Sequence, residues 1–250
     1  MDKRPFQDQV VIITGVSRGI GRACALQFSQ DGAQVVGIYR ANDRAAQEVS
    51  RQIQTLGGQL RLYKGSVSDR MFVRKTIEEV YCAFGRVDVL INNAGITRDE
   101  LALFMTEEQW NEVLAANFLG TAFCLEAVLP YMQRQGRGNI VNVLSVSALY
   151  GREAQANYAA SKGMILGLTK LLARKYQAHG ITICALAPGL IDTEMAASLS
   201  SQKTETFLKH TLAGRLGTPE EMAQAISYLA GPQAQYFSGQ VLKMDGGFLR

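Results

Sequence analysis

Short apolar runs alternate with longer amphipathic stretches along the whole chain. The pattern predicts strands over 10–14, 35–39, 60–64, 87–92, 139–145, 181–186 and 239–244. Between them, recurrence of apolar residues at three- and four-residue intervals predicts helices over 19–30, 43–56, 69–84, 106–135, 155–179 and 219–230. Segments such as VVIIT and VDVLIN are apolar at successive positions rather than alternate ones, so both faces of their sheet must be covered. Strand–helix alternation with strands of this kind predicts an α/β fold. The expected form is a single-domain Rossmann-like doubly wound parallel sheet of about seven strands with helices on both faces. Right-handed crossovers follow from chain chirality. No Pro/Gly/Ser-rich linker divides residues 1–250, so one domain is expected. The mixed, irregular stretch at about 190–212 reads as a lid.

The two longest helical patterns carry apolar residues around much of their circumference. Trp110, Val113, Leu114, Phe118, Leu119, Phe123 and Leu125 do so in one, and Met164, Ile165, Leu168, Leu171 and Leu172 in the other. One face of each packs on the sheet, and the excess predicts a second subunit as cover.

Composition narrows the class. Of the 250 residues 47% are hydrophobic, which excludes a disordered chain. Only 19% are charged, below the roughly 25% usual in soluble domains, in keeping with burial of surface in an oligomer. The balance of 26 basic against 22 acidic residues gives +4, with no run of five Lys or Arg, so no dedicated nucleic-acid surface is indicated. Four Cys without a CxxC pair and two His exclude a structural zinc site or disulfide framework. The N-terminus MDKRPFQDQ lacks an apolar signal region, and no stretch reaches the ~18 apolar residues of a membrane span. A cytoplasmic protein of a reducing compartment is expected.

Candidate chemistry begins after the first strand. Gly15, Gly19 and Gly21 frame a loop with Ser17, Arg18 and Ile20 between a strand and a helix. Such a loop lets the backbone approach a pyrophosphate, and the helix N-terminus offers free N–H groups. Arg40 lies nineteen residues beyond Gly21, at the end of the second strand. An acidic residue there would hold the ribose 2′-hydroxyl of NAD, whereas a basic one suits the 2′-phosphate of NADP. Arg18 supplies a second cation, so the cofactor reading is NADP(H).

Tyr158 and Lys162 stand one helical turn apart, on one face. A cation beside a phenol favours the phenolate and brings proton transfer into range. Ser145, thirteen residues earlier at the end of the fifth strand, falls at the sheet edge where ligands bind in doubly wound folds.

These residues, with TGVSRGIG at 14–21 and Asn92-Asn93-Ala94-Gly95, make the sequence resemble the short-chain dehydrogenase/reductase family. The likeness runs from about Gln9 to Gly247. Within the family it is similar to the 3-oxoacyl-[acyl-carrier-protein] reductases, through GITRD at 95–99, QANY at 155–158 and GRLGTPEE at 214–221. The resemblance implies NADPH-dependent reduction of a 3-oxoacyl carrier protein in fatty acid synthesis. Asn117, Ser145, Tyr158 and Lys162 would form its catalytic set, with Lys162 depressing the Tyr158 pKa and Asn117 kinking its helix. Ser66, Val67 and Asp69 would meet the adenine end, and Asn93, Ala94 and Gly95 would run under the cofactor. Pro188, Gly189, Ile191 and Thr193 would hold the nicotinamide end, and no metal is implied. A homotetramer and an acyl carrier protein partner follow, with Arg134, Arg137 and Arg174 as carrier contacts.

Three places depart from the family pattern: Ser66 before Val67, Leu144 before Ser145, and the bulky Tyr150, Arg152 and Glu153 in the loop before Tyr158. They leave open another carbonyl substrate, such as an acyl-CoA, a sugar, or a steroid or xenobiotic ketone. A noncatalytic NADP-binding subunit is the alternative from another class.

Overall fold

β1 (Val10–Thr14) is buried at all five positions because it sits in the middle of a seven-stranded sheet. The computed structural model describes residues 4–197 and 201–248. After β1 come α1 (Gly19–Gln30), β2 (Gln34–Tyr39), α2 (Asp43–Thr55), β3 (Leu60–Lys64), α3 (Arg70–Phe84) and β4 (Val89–Asn92). There follow α4 (Glu107–Val113), a π-helical segment (Leu114–Leu119), α5 (Gly120–Gln135), β5 (Gly138–Val143), α6 (Ser147–Tyr150) and α7 (Ala156–Tyr176). β6 (Ile181–Pro188), α8 (Glu194–Ala197), α9 (Ser201–Lys209), α10 (Pro219–Ala230) and β7 (Val241–Met244) complete the order.

All strand pairings are parallel, in the order β3-β2-β1-β4-β5-β6-β7. The doubly wound expectation therefore holds. Alternate residues of each strand feed opposite faces. Val11, Ile13, Val35 and Ile91 pack with α1, α2 and α10, whereas Val10, Ile12, Val36 and Leu90 pack with α3 and α5. The order reverses between β1 and β4, which opens a crevice at their carboxyl ends.

Polar pins fix the layers that matter for the site. Asn92 Nδ2 donates to Asn142 Oδ1 at 2.9 Å, and Asn142 Nδ2 donates to Thr169 Oγ1 at 2.9 Å. This buried chain joins β4, β5 and α7. Asp69 caps α3 by accepting from the backbone N–H groups of Met71 and Phe72. Thr106 and Gln109 form a capping box on α4, as Thr218 and Glu221 do on α10.

Several boundaries differ from the sequence pattern. β4 starts at Val89 rather than 87, because the Val87 N–H donates instead to Gln135 Oε1. β5 ends at Val143 rather than 145, as the chain turns into α6. The 106–135 helix is interrupted by the π segment. It is also long and apolar enough to cross a membrane by length and composition, contrary to expectation. Cys124, Leu125, Val128, Leu129 and Met132 are nevertheless buried against the sheet and α3. Two short helices, α8 and α9, occupy the stretch expected to be an irregular lid, of which residues 198–200 lie outside the described residues.

Candidate active site

The crevice at the carboxyl ends of the strands holds a cavity of about 600 Å³. Its floor is set by contacts between β1 and β4. Thr14 Oγ1 accepts from the backbone N–H of Asn93 and of Ala94, both at 3.0 Å. Asn93 Nδ2 donates to the carbonyls of Thr14 at 2.9 Å and Gly15 at 3.3 Å. Gly15 adopts φ +73°, a conformation that favours glycine. A Cβ on Gly21 would lie 2.2 Å from Gly15 O, so the loop closes on the helix only without a side chain there.

Arg18 precedes α1 in an extended conformation and provides no side-chain cap, which leaves the first N–H groups of α1 available to an anion. Arg18 and Arg40 both line the cavity, and among the described residues neither forms an ion pair. This cradle with two unspent guanidinium groups fits a dinucleotide carrying an extra phosphate.

Every residue expected to touch a cofactor lines this cavity except Gly21, which shapes the loop from behind, and Asp69. Asp69 does not reach it and spends its carboxylate capping α3. The Ser66 hydroxyl shares a 2.7 Å hydrogen bond with Ser68 at the cavity wall. Leu144 is buried, lines the cavity and packs with Ile165, Ala185 and Ala187.

Ser145, Tyr158 and Lys162 meet at the other end of the cavity. Lys162 is 3% exposed, and its Nζ donates to Val143 O at 2.8 Å. It lies 5.8 Å from the centroid of the Tyr158 ring. Burial lowers the Lys162 pKa to about 8. The Tyr158 phenol, half-buried, is pushed up to about 12, first by burial and further by the Asp99 carboxylate; a hydrogen bond with Ser145 and the charge of Arg152 oppose this. The expected lowering of Tyr158 by Lys162 is therefore not found in the cofactor-free protein. Desolvation outweighs attraction, and the ammonium is drawn to the Val143 carbonyl.

Asn117 lies in the π segment, where the helix departs from regular geometry as expected. It does not line the cavity. Its Oδ1 accepts from Ile96 N at 2.8 Å, and its Nδ2 donates to Ile96 O and Ser161 Oγ, each at 3.0 Å. It thus stitches the irregular segment following β4 to the turn of α7 that carries Lys162.

A second polar chain escaped the sequence reading. Gln155, 6% exposed, donates through Nε2 to Asp99 Oδ2 at 2.9 Å. Its Oε1 accepts from Ser147 Oγ at 3.0 Å, and the Ser147 N–H donates to Ser145 Oγ at 3.1 Å. With one Ser145 lone pair so engaged, its hydroxyl hydrogen is free to point towards Tyr158 or a substrate oxygen. Phe207 and Phe248 were also missed; their rings stack at 4.8 Å and close the cavity where α9 meets the C-terminal segment.

The three expected carrier contacts lie elsewhere on this chain. α5 and α7 run back from the carboxyl edge of the sheet, so Arg134, Arg137 and Arg174 sit by their far ends. Arg137 Nε is 3.8 Å from Asp88 Oδ1 just before β4, and Arg134 rests over the Tyr131 ring at 4.8 Å. These residues are at the opposite edge of the sheet from the cavity of the same chain.

Comparison with known proteins gives a consistent set of likenesses. The family described as "Enoyl-(Acyl carrier protein) reductase" matches residues 15–249. The 3-oxoacyl-[acyl-carrier-protein] reductase FabG of Thermotoga maritima is 41% identical over 246 residues, 98% of this chain and 99% of that protein. FabG of Escherichia coli K12 is 38% identical over 242 residues, covering 97% and 98% respectively. The crystal structure of levodione reductase superposes with a TM-score of 0.93 at 30% identity, over 97% of this chain and 98% of that one.

Proposed function

Because the chain belongs to the short-chain dehydrogenase/reductase family, oxidoreductases that interconvert CH–OH and C=O, we propose that it reduces 3-oxoacyl groups on acyl carrier protein with NADPH. The similarity to 3-oxoacyl-[acyl-carrier-protein] reductases over nearly the whole of both chains carries the substrate reading. Arg18 and Arg40, unspent at the end of the cavity remote from Tyr158, support NADPH over NADH.

NADPH, when bound, supplies the hydride. The chain does the rest. Ser145 and Tyr158 donate hydrogen bonds to the substrate ketone, and Tyr158 transfers its proton to that oxygen as charge develops. A phenol held near 12 is fully protonated at neutral pH, so it is ready to act as the acid in the reducing direction. Lys162 lines the same cavity and would hold the ribose hydroxyls of the cofactor. Asn117 and Gln155 hold the two halves of this constellation through Ser161 and Ser147.

The same reading includes a homotetramer acting in the cytoplasm. Leu119 and Leu171, 41% and 62% exposed on the π segment and α7, support a subunit interface there. Arg134, Arg137 and Arg174 would serve a carrier only if a second copy, packed antiparallel on α7, brought them to the cavity mouth of its neighbour. Light scattering of the purified protein tests the assembly.

The decisive assay is the initial rate of NADPH and NADH oxidation with acetoacetyl carrier protein, with Tyr158→Phe as control. Rapid turnover with NADPH, weak turnover with NADH and loss in the variant are expected. Absence of carrier-bound turnover, with NADPH still binding, would discard the substrate and leave a reductase of another carbonyl.

A further inference from the structure

The loop between Ser145 and Tyr158 carries two bulky side chains that the proposed reaction does not use. The Tyr150 hydroxyl accepts from Lys243 Nζ at 3.2 Å, and that ammonium is 3.1 Å from Asp245 Oδ2. Lys243 is thus committed to the loop and its own strand. Arg152 is different. It is exposed, lines the cavity together with Ser145, Gln155 and Tyr158, and pairs with no carboxylate among the described residues. The acid on this side of the cavity, Asp99, has Oδ2 taken by Gln155. A guanidinium therefore faces the space where a substrate lies, with its forked donors unspent.

Its position relative to the reacting phenol sets the ligand. The Arg152 carbonyl accepts from the Gln155 N–H at 3.2 Å, just ahead of Tyr158 on the chain, and the side chains of Arg152, Ser145 and Tyr158 line one cavity, so an anion paired with Arg152 would lie beside a ketone held by Ser145 and Tyr158. A distal phosphate on a long carrier arm is too far along. A carboxylate at C1 of a 3-oxo acid is close enough.

We propose that Arg152 is a specificity residue that admits free 3-oxo carboxylates as a second substrate class, by pairing with the C1 carboxylate while Ser145 and Tyr158 hold the C3 oxygen. This rests on the reductase chemistry proposed above but not on its carrier protein. The bond changes are those of the ketone reduction. C3 gains the hydride of NADPH, its oxygen gains the Tyr158 proton, NADPH is oxidised, and the carboxylate keeps its charge and bonds throughout. With a thioester, the C1 carbonyl offers Arg152 only a neutral acceptor, and a charge-assisted bidentate pair is about twice as strong. The two classes should respond differently to its loss.

The test compares acetoacetate with neutral ethyl acetoacetate, using NADPH and the wild-type, Arg152→Ala, Arg152→Lys and Asp99→Asn proteins. Wild type is expected to reduce both. Arg152→Ala should lower kcat/KM for acetoacetate by about 30-fold or more while changing ethyl acetoacetate less than about 5-fold, the difference expected for a lost charge-assisted pair. Arg152→Lys should restore part of the loss, and Asp99→Asn, which removes a like charge from the cavity, should raise the ratio of acetoacetate to ethyl acetoacetate turnover. Failure of wild type to reduce acetoacetate, or an equal loss on both substrates, overturns the proposal. Acetoacetyl carrier protein is assayed in parallel. Turnover of acetoacetate without turnover of the carrier substrate would leave Arg152's role intact and remove the carrier reading, and the reverse result would do the opposite.

Discussion

Lys162 should make the cofactor-free protein less stable, and its removal should show by how much. The ammonium is 3% exposed and donates to Val143 O at 2.8 Å. Burial brings its pKa from the ordinary 10.5 to about 8. At 1.36 kcal/mol per tenfold change in the proton equilibrium, keeping the charge in the folded state costs about 3 kcal/mol below pH 8. The sign follows from proton binding. Between about pH 8 and pH 10.5 the unfolded chain holds more of this proton than the folded one, so stability rises with pH through that window. Below it the full cost is present, and above it the cost is gone.

Lys162→Met keeps most of the stem and removes the charge. It also leaves Val143 O without its donor, a loss of about 1 kcal/mol. The variant should therefore be about 2 kcal/mol more stable than wild type at pH 7, the advantage shrinking and reversing by pH 10.5. Urea unfolding of both proteins without cofactor, at equal concentration and at several pH values, measures the difference. Groups remote from Lys162 are common to both proteins and cancel in the comparison. A variant no more stable at pH 7, with a difference flat in pH, would mean that the ammonium is well solvated and that the burial argument is wrong. Reductase activity should fall by about 100-fold or more, the usual scale for proton-transfer machinery.

Other consequences are equally direct. Gly21→Ala places a Cβ 2.2 Å from Gly15 O and 2.6 Å from Asn93 Nδ2. NADPH affinity, followed by fluorescence titration, should drop by about tenfold or more while the circular dichroism stays that of an α/β protein. Gln155→Leu strips partners from Asp99 and Ser147, which costs about 1–3 kcal/mol and should lower kcat with little change in cofactor affinity. An unchanged kcat would show that Ser145 is positioned without this chain. Thr218→Ala breaks the capping box of α10, far from the chemistry, and should lower stability by about 1 kcal/mol with kcat unaltered.

The sheet could be read from the chain because its strands are unbroken apolar runs and glycine-bounded helices separate them. α1, β3 and α10 fall where the pattern puts them. The ends of β4 and β5 could not be, because side-chain acceptors such as Gln135 Oε1 and a tight turn at Ser145 decide them. Ser145, Tyr158 and Lys162 were visible through local spacing on α7 and at the end of β5, and Asn117 only through the family resemblance. Gln155 was not, because its partner Asp99 is 56 residues away and no periodicity links them. Its signal was a polar residue just ahead of an otherwise apolar helix. The placing of Arg134, Arg137 and Arg174 could have been foreseen from topology alone. A helix that leaves the carboxyl edge of a parallel strand returns to the amino edge, so its last turn cannot border the cavity of its own chain.

The polar interruptions within apolar elements carry the deeper lesson. Asn92 ends β4, Asn142 stands inside β5, Thr169 lies buried in α7, and Asn117 is fully buried in the π segment. A core chosen for stability alone would place Leu, Ile or Val at each, since polar groups there gain little net energy and leave a penalty when mismatched. Here they are joined into two chains, Asn92–Asn142–Thr169 and Ile96–Asn117–Ser161, and both end on α7. Apolar packing would let α7 slide or rotate at small cost, whereas directional hydrogen bonds from two sides fix it. That helix carries Tyr158 and Lys162, whose proposed work would depend on ångström-scale placement against Ser145. The positions at which the hydrophobic pattern breaks are therefore the ones that fix α7 and would orient the proposed chemistry, and the buried charge of Lys162 is the destabilising element on the helix they hold.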